Sequence, residues 1–176
     1  STNVPEWGSG GDNKSATYID PMGYSGKYCL TQYDRIPFNT SSTQTVEGLE
    51  NGTYEFTAYV SSNGTQNKSS ITVNGDESYT AEIGKTEGFQ LIKIEGIQVS
   101  EGKCQVVIAT DGQADSWIKV DECSLVKTDS RGVNVLKNSG FDIFDASTML
   151  DSETKRTFAI HGTPEVDGEI DSLWEE

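Results

Sequence analysis

Histidine is all but missing from this chain. His161 is the only one in 176 residues, so a Ser-His-Asp arrangement would have a single candidate base. Positive charge is also scarce: 13 Lys and Arg stand against 28 Asp and Glu, a net charge of −15. Such a surface repels phosphates and anionic headgroups, so neither nucleic acid nor membrane is expected as a partner, while an uncharged ligand is compatible with it. No apolar run approaches the length of a transmembrane helix. Gly8-Ser9-Gly10-Gly11 is followed by neither Lys-Thr nor a helix pattern, which argues against a phosphate loop. The three cysteines, Cys29, Cys104 and Cys123, leave at least one unpaired. Each sits in an apolar-patterned stretch and reads as a small buried hydrophobe. A Cys29–Cys123 bridge is the alternative, and no zinc spacing is present. Glycoside cleavage needs two carboxylates across a cleft. No hydrolase motif frames such a pair, so no enzymatic activity is expected.

What is abundant is alternation. Val, Ile, Thr, Tyr and Ser recur at period two between Gly and Asn, which predicts an all-β chain. The expected strands are 15–19, 27–33, 40–46, 52–61, 69–73, 78–83, 89–99, 104–110 and 117–126. Asn51-Gly52, Asn63-Gly64 and Asn74-Gly75 supply turn signals. Many short strands with turns between them predict a two-sheet β-sandwich of jelly-roll topology. Along 52–61, Tyr54, Phe56, Ala58 and Val60 should face a core, and Thr53, Glu55, Thr57 and Tyr59 the solvent. In the last strand Ile118 and Val120 are out of phase with Cys123 and Leu125, which predicts a β-bulge at Asp121-Glu122.

Composition shifts after Lys127. Residues 1–127 read as the sandwich, 128–132 as a linker and 133–176 as a thin acidic tail with short strands at 133–137 and 157–160. The tail cannot bury a core of its own. It either docks on the sandwich or begins a following module.

Several segments together resemble a known family. Tyr24-Ser25-Gly26-Lys27-Tyr28-Cys29-Leu30, Thr45-Val46-Glu47-Gly48-Leu49-Glu50-Asn51-Gly52-Thr53-Tyr54, Phe56-Thr57-Ala58-Tyr59-Val60 and the stretch from Trp117 to Leu125 resemble, in order, four motifs of jelly-roll carbohydrate-binding modules of the family 4, 9 and 22 grouping. Residues 162–174 look like the opening of a family 9 module, of the kind that follows bacterial xylanases. The resemblance implies a noncatalytic module, secreted or held at the bacterial cell surface and covalently linked to a catalytic module. Its implied ligand is a plant cell-wall β-1,4-glycan, xylan or xylo-oligosaccharide first. β-1,4-Galactan is second, because galactanase modules share the Gly48-to-Tyr54 hairpin, although residues 68–75 depart from their pattern. A sandwich serving only as a structural or adhesion spacer is the remaining alternative. The family's opening strand is absent at the start, and Val135-Leu136-Lys137-Asn138-Ser139-Gly140-Phe141-Asp142 looks like it, displaced to the other end. The resemblance also implies a structural calcium ion at Asp121.

Sugar binding needs flat rings in water, because an aromatic face stacks on the apolar C–H face of a pyranose and the polar tip adds hydrogen bonds. Trp7, Tyr33, Tyr59 and Trp117 are the candidate rings. Glu55, Gln32 and Gln105 are the candidate hydroxyl partners.

Overall fold

The computed structural model describes residues 4–129 and 132–142, within one compact unit spanning Ser1–Ile143. The expected strand at 157–160, the family 9-like stretch and His161 lie outside the described residues. Among the described residues, ten strands form two five-stranded sheets: β1 (Gly8–Gly10), β2 (Thr17–Asp20), β3 (Cys29–Tyr33), β4 (Phe38–Glu47), β5 (Gly52–Ser62), β6 (Lys68–Val73), β7 (Thr80–Glu82), β8 (Gln90–Val99), β9 (Lys103–Gly112) and β10 (Trp117–Lys127). One sheet has the order β1-β4-β9-β6-β7 and the other β2-β3-β10-β5-β8. Every neighbouring pair is antiparallel. Most chain connections cross from one sheet to the other, which is why only one Asn-Gly pair makes a primed turn. Asn74 and Gly75, beside the β6–β7 pairing, have φ of 55° and 62°, the double positive that such a turn requires.

Alternation decides the interior. Tyr54, Phe56, Ala58 and Val60 of β5 meet Cys104, Val106 and Ile108 of β9 and Ile71 and Val73 of β6 in one buried cluster. In β10 the pairing register with β5 shifts between Asp121 and Ser124, and Glu122 takes a φ of 51°. This bulge lets Ile118 and Val120 share the core with Cys123 and Leu125. The three cysteines are free and buried. Burial pushes the thiols of Cys29 and Cys104 up to about 11, and that of Cys123 higher still.

Two elements differ from expectation. β1 carries no β-branched residue, yet it pairs Gly8–Gly10 with Ser41–Thr43. A Cβ on Gly10 would stand 2.6 Å from Ser41 Oγ, so the absence of side chains is what permits the approach. The stretch 133–137 is not a strand: one backbone bond, from Val135 N–H to Leu125 O (3.0 Å), joins it to β10, and the Asn134 side chain supplies the rest. Its amide accepts from Leu125 N–H (3.0 Å) and donates to the Cys123 carbonyl (2.9 Å).

Residues 132–142 pack on the sandwich. Phe141 is fully buried with its ring centroid 5.4 Å from that of Trp7. The Trp7 indole N–H donates to Asn138 O (3.2 Å). Gln44 makes paired bonds with the Lys137 backbone (2.9 and 2.7 Å). Removing a buried aromatic leaves a cavity as well as losing transfer energy. Phe141→Ala should therefore lower the unfolding free energy by about 3–5 kcal/mol in urea titration, and a chain ended at Lys127 should lose at least as much.

Candidate functional site

Strand register places the outward residues of β2-β3-β10-β5-β8 in rows. Tyr33 is opposite Trp117. Tyr18, Thr31, Lys119 and Ser61 form the next row, and Cys29, Asp121, Tyr59 and Leu91 another. Tyr33 and Trp117 are half-buried side by side at one end of this face. The Tyr33 hydroxyl donates to Asp115 (3.1 Å). Partial burial and that bond both raise the phenol above its usual range. In the middle row Lys119 donates to Asp20 (3.0 Å) and Thr31 (3.2 Å), with its ammonium 5.8 Å from the Trp117 ring centre. Four residues farther along β10, about 13 Å at the usual strand rise, lies a second aromatic group. Tyr24 stacks on Tyr59 at 3.8 Å and 10° between planes, and Phe89 meets Tyr24 edge-on at 5.7 Å. Tyr24 is 47% exposed and Leu91 52%.

Of the expected site residues, Tyr33, Tyr59, Trp117 and Glu55 share this face. Glu55 is at its far end, 3.6 Å from Lys93. Gln105 is exposed on the opposite sheet, in a groove of about 430 Å³ with Thr45, Asn74 and Lys103 that has no aromatic lining. Two candidates have no access to ligand. Trp7 is 3% exposed, its ring sealed by Phe141. Gln32 is fully buried and bridges the two sheets, donating to Ile108 O (3.1 Å) and accepting from Thr110 Oγ1 (2.7 Å). Tyr24, Phe89 and Lys119 were not anticipated. An aromatic flanked by Gly23 and Gly26 was the available signal, since glycines permit the close backbone approach that presses a loop onto a sheet.

Asp121 points outward from β10 yet is fully buried, because the loop 21–28 covers it. Its carboxylate accepts from Tyr24 N (2.8 Å), Ser25 N (3.1 Å) and Glu122 N (2.8 Å). Both lone pairs of Oδ2 and one of Oδ1 are thereby used, which leaves Asp121 a single lone pair for a cation. The better donor set is next to it. Glu122 Oε2 and Asp142 Oδ2 stand 2.9 and 3.4 Å from where a Cβ on Gly140 would be, and among the described residues neither carboxylate has an ion pair. Two unneutralised carboxylates over a glycine cradle suit a hard cation, although no group of three or more Asp, Glu, His or Cys converges among the described residues.

No family model matches this chain, and no curated protein does. Solved structures do. The sandwich superposes on a family 61 carbohydrate-binding module in complex with β-1,4-galactotriose, with a TM-score of 0.63 and 21% identity over 71% of this chain and 90% of that one. It also superposes on the enzymatically active domain of tailspike protein 4 of bacteriophage CBA120, with a TM-score of 0.51 and 13% identity over 70% of this chain and 19% of that one. A family 35 module from Cellvibrio japonicus gives a TM-score of 0.49 and 19% identity over 68% and 89%. The fold is the jelly-roll sandwich found in carbohydrate-binding modules.

Burial raises the Asp121 carboxyl from 3.8 to about 6, against the three N–H bonds that lower it and with Glu122 adding to the rise. The folded chain therefore binds this proton more tightly than the unfolded chain. The contribution to stability is fully present below about pH 4 and is lost as the pH rises through about 6. The Tm difference between wild type and Asp121→Asn should accordingly shrink as the pH is raised from 4 to 7 in EDTA buffer, as read by calorimetry.

Proposed function

We propose that the β2-β3-β10-β5-β8 face binds a plant cell-wall β-1,4-glycan and that the chain is a noncatalytic, secreted module holding an attached glycoside hydrolase on that polymer. The observation that carries this reading is the pair of aromatic groups, Tyr33 with Trp117 and Tyr24 with Tyr59, left partly in water on one sheet. Each group can stack on the C–H face of one pyranose. Between them Lys119 and Asp20 provide a donor and an acceptor for hydroxyls. A shallow face of this kind binds weakly, with a Kd on the order of micromolar to millimolar. Its use is to keep a linked catalytic domain at high effective concentration near an insoluble substrate.

Xylan is the first ligand, supported by the motif resemblance and the family 9-like tail. β-1,4-Galactan is the second, favoured by the Gly48-to-Tyr54 hairpin and by the galactotriose in the family 61 module. Calcium enters at a shifted position: Glu122 and Asp142 would hold it, and it would neutralise two adjacent negative charges.

Affinity electrophoresis through xylan, galactan and mixed-linkage glucan gels tests the function. Retardation is expected in a β-1,4-glycan gel. Trp117→Ala and Tyr33→Ala should each weaken it about tenfold, the equivalent of about 1.4 kcal/mol, with circular dichroism checking that each variant is folded. A wild-type chain that migrates freely in every gel leaves a spacer as the better reading. Calcium added to EDTA-treated protein should raise the Tm, and an unmoved Tm refutes the ion.

A further inference from the structure

Resting on the glycan-binding face just described, we propose that Tyr24 is a sugar platform of that face and that Asp142, on the docked segment 132–142, is its positioning residue. Tyr24 belongs to the loop between β2 and β3, not to the sheet. It covers the ring of Tyr59 at 3.8 Å, so the surface that a ligand meets at this end is the outer face of Tyr24. Tyr59 acts as its backing.

A ring on a loop is useful for stacking only if the loop is fixed, because ordering it on binding would cost affinity. Two carboxylates fix this one. Asp121, the cross-strand partner of Tyr59, takes the amides of Tyr24 and Ser25. Asp142 takes the amides of Lys27 and Tyr28, both at 3.0 Å. Charge-assisted bonds to backbone amides are stronger than neutral ones. The loop is shaped for this grip: Gly26 has a φ of 62°, and a Cβ there would collide with the Asp142 carboxylate. Asp142 in turn stands beside Phe141, whose full burial anchors the segment. A tail that looks separate from the sandwich in composition thus holds one end of its ligand face.

The test compares wild type, Tyr24→Ala, Asp142→Ala, Asp142→Asn and Gly26→Ala in EDTA, using titration calorimetry with the glycan that retards the wild type. Asp142 is exposed, so its variants should fold, and the Tm of each is checked. Tyr24→Ala and Asp142→Ala should each bind about tenfold more weakly, near 1.4 kcal/mol. Asp142→Asn, which keeps an acceptor oxygen, should restore part of the affinity. Gly26→Ala should weaken binding although it changes no side chain that meets sugar. Hydrogen exchange at the Lys27 and Tyr28 amides should quicken in Asp142→Ala. Faster exchange with wild-type affinity would overturn the positioning role and leave the glycan-binding reading intact. Binding by wild type in calcium but not in EDTA would overturn a grip made by the Asp142 carboxylate alone. Absence of wild-type binding under both conditions would remove the parent reading and this one together.

Discussion

A carboxylate taken out of water has to be given hydrogen-bond donors, and much of this surface follows from how Asp121 obtains its own. Alternation from Ile118 and Val120 directs Asp121 at the outer face, and the bulge that follows returns Cys123 and Leu125 to the core. There it draws the loop 21–28 down until Tyr24 N and Ser25 N reach it. The loop then lies across the sheet and delivers Tyr24 onto Tyr59. The strand that packs the core on one side thus carries an aromatic surface on the other. Burial of the carboxylate is the cost of that arrangement, visible in its raised pKa.

The sandwich was legible because its signal is local. Alternation along β5, β9 and β10 needs only neighbouring residues to be read, and it gave the correct faces for Tyr54 to Val60 and the correct break at Asp121. The same rule applies at β3. Gln32 and Tyr33 are consecutive in a strand, so they cannot both face a ligand. Gln32 went inward and joined the two sheets.

The rest depended on partners far away in the chain. Trp7 was an attractive sugar-stacking ring until Phe141, 134 residues later, was found against it. No pattern around Trp7 announces that cover. The segment 132–142 carries too few apolar residues to look like part of a core. Phe141 and Leu136 nevertheless join the core, and the side-chain amides of Gln44 and Asn134 add to two backbone bonds with β10. β1 is illegible for the opposite reason: glycines carry no strand preference, yet their lack of side chains allows the close approach to β4.

The sealed thiols have a consequence of their own. Disulfide exchange and oxidation both proceed through an accessible thiolate, and Cys29, Cys104 and Cys123 are neither accessible nor inclined to ionise. The folded chain therefore holds its three thiols out of reach of glutathione and oxygen alike. A polypeptide built this way can be assembled under reducing conditions and put to use under oxidising ones without a folding catalyst having to choose its cross-links.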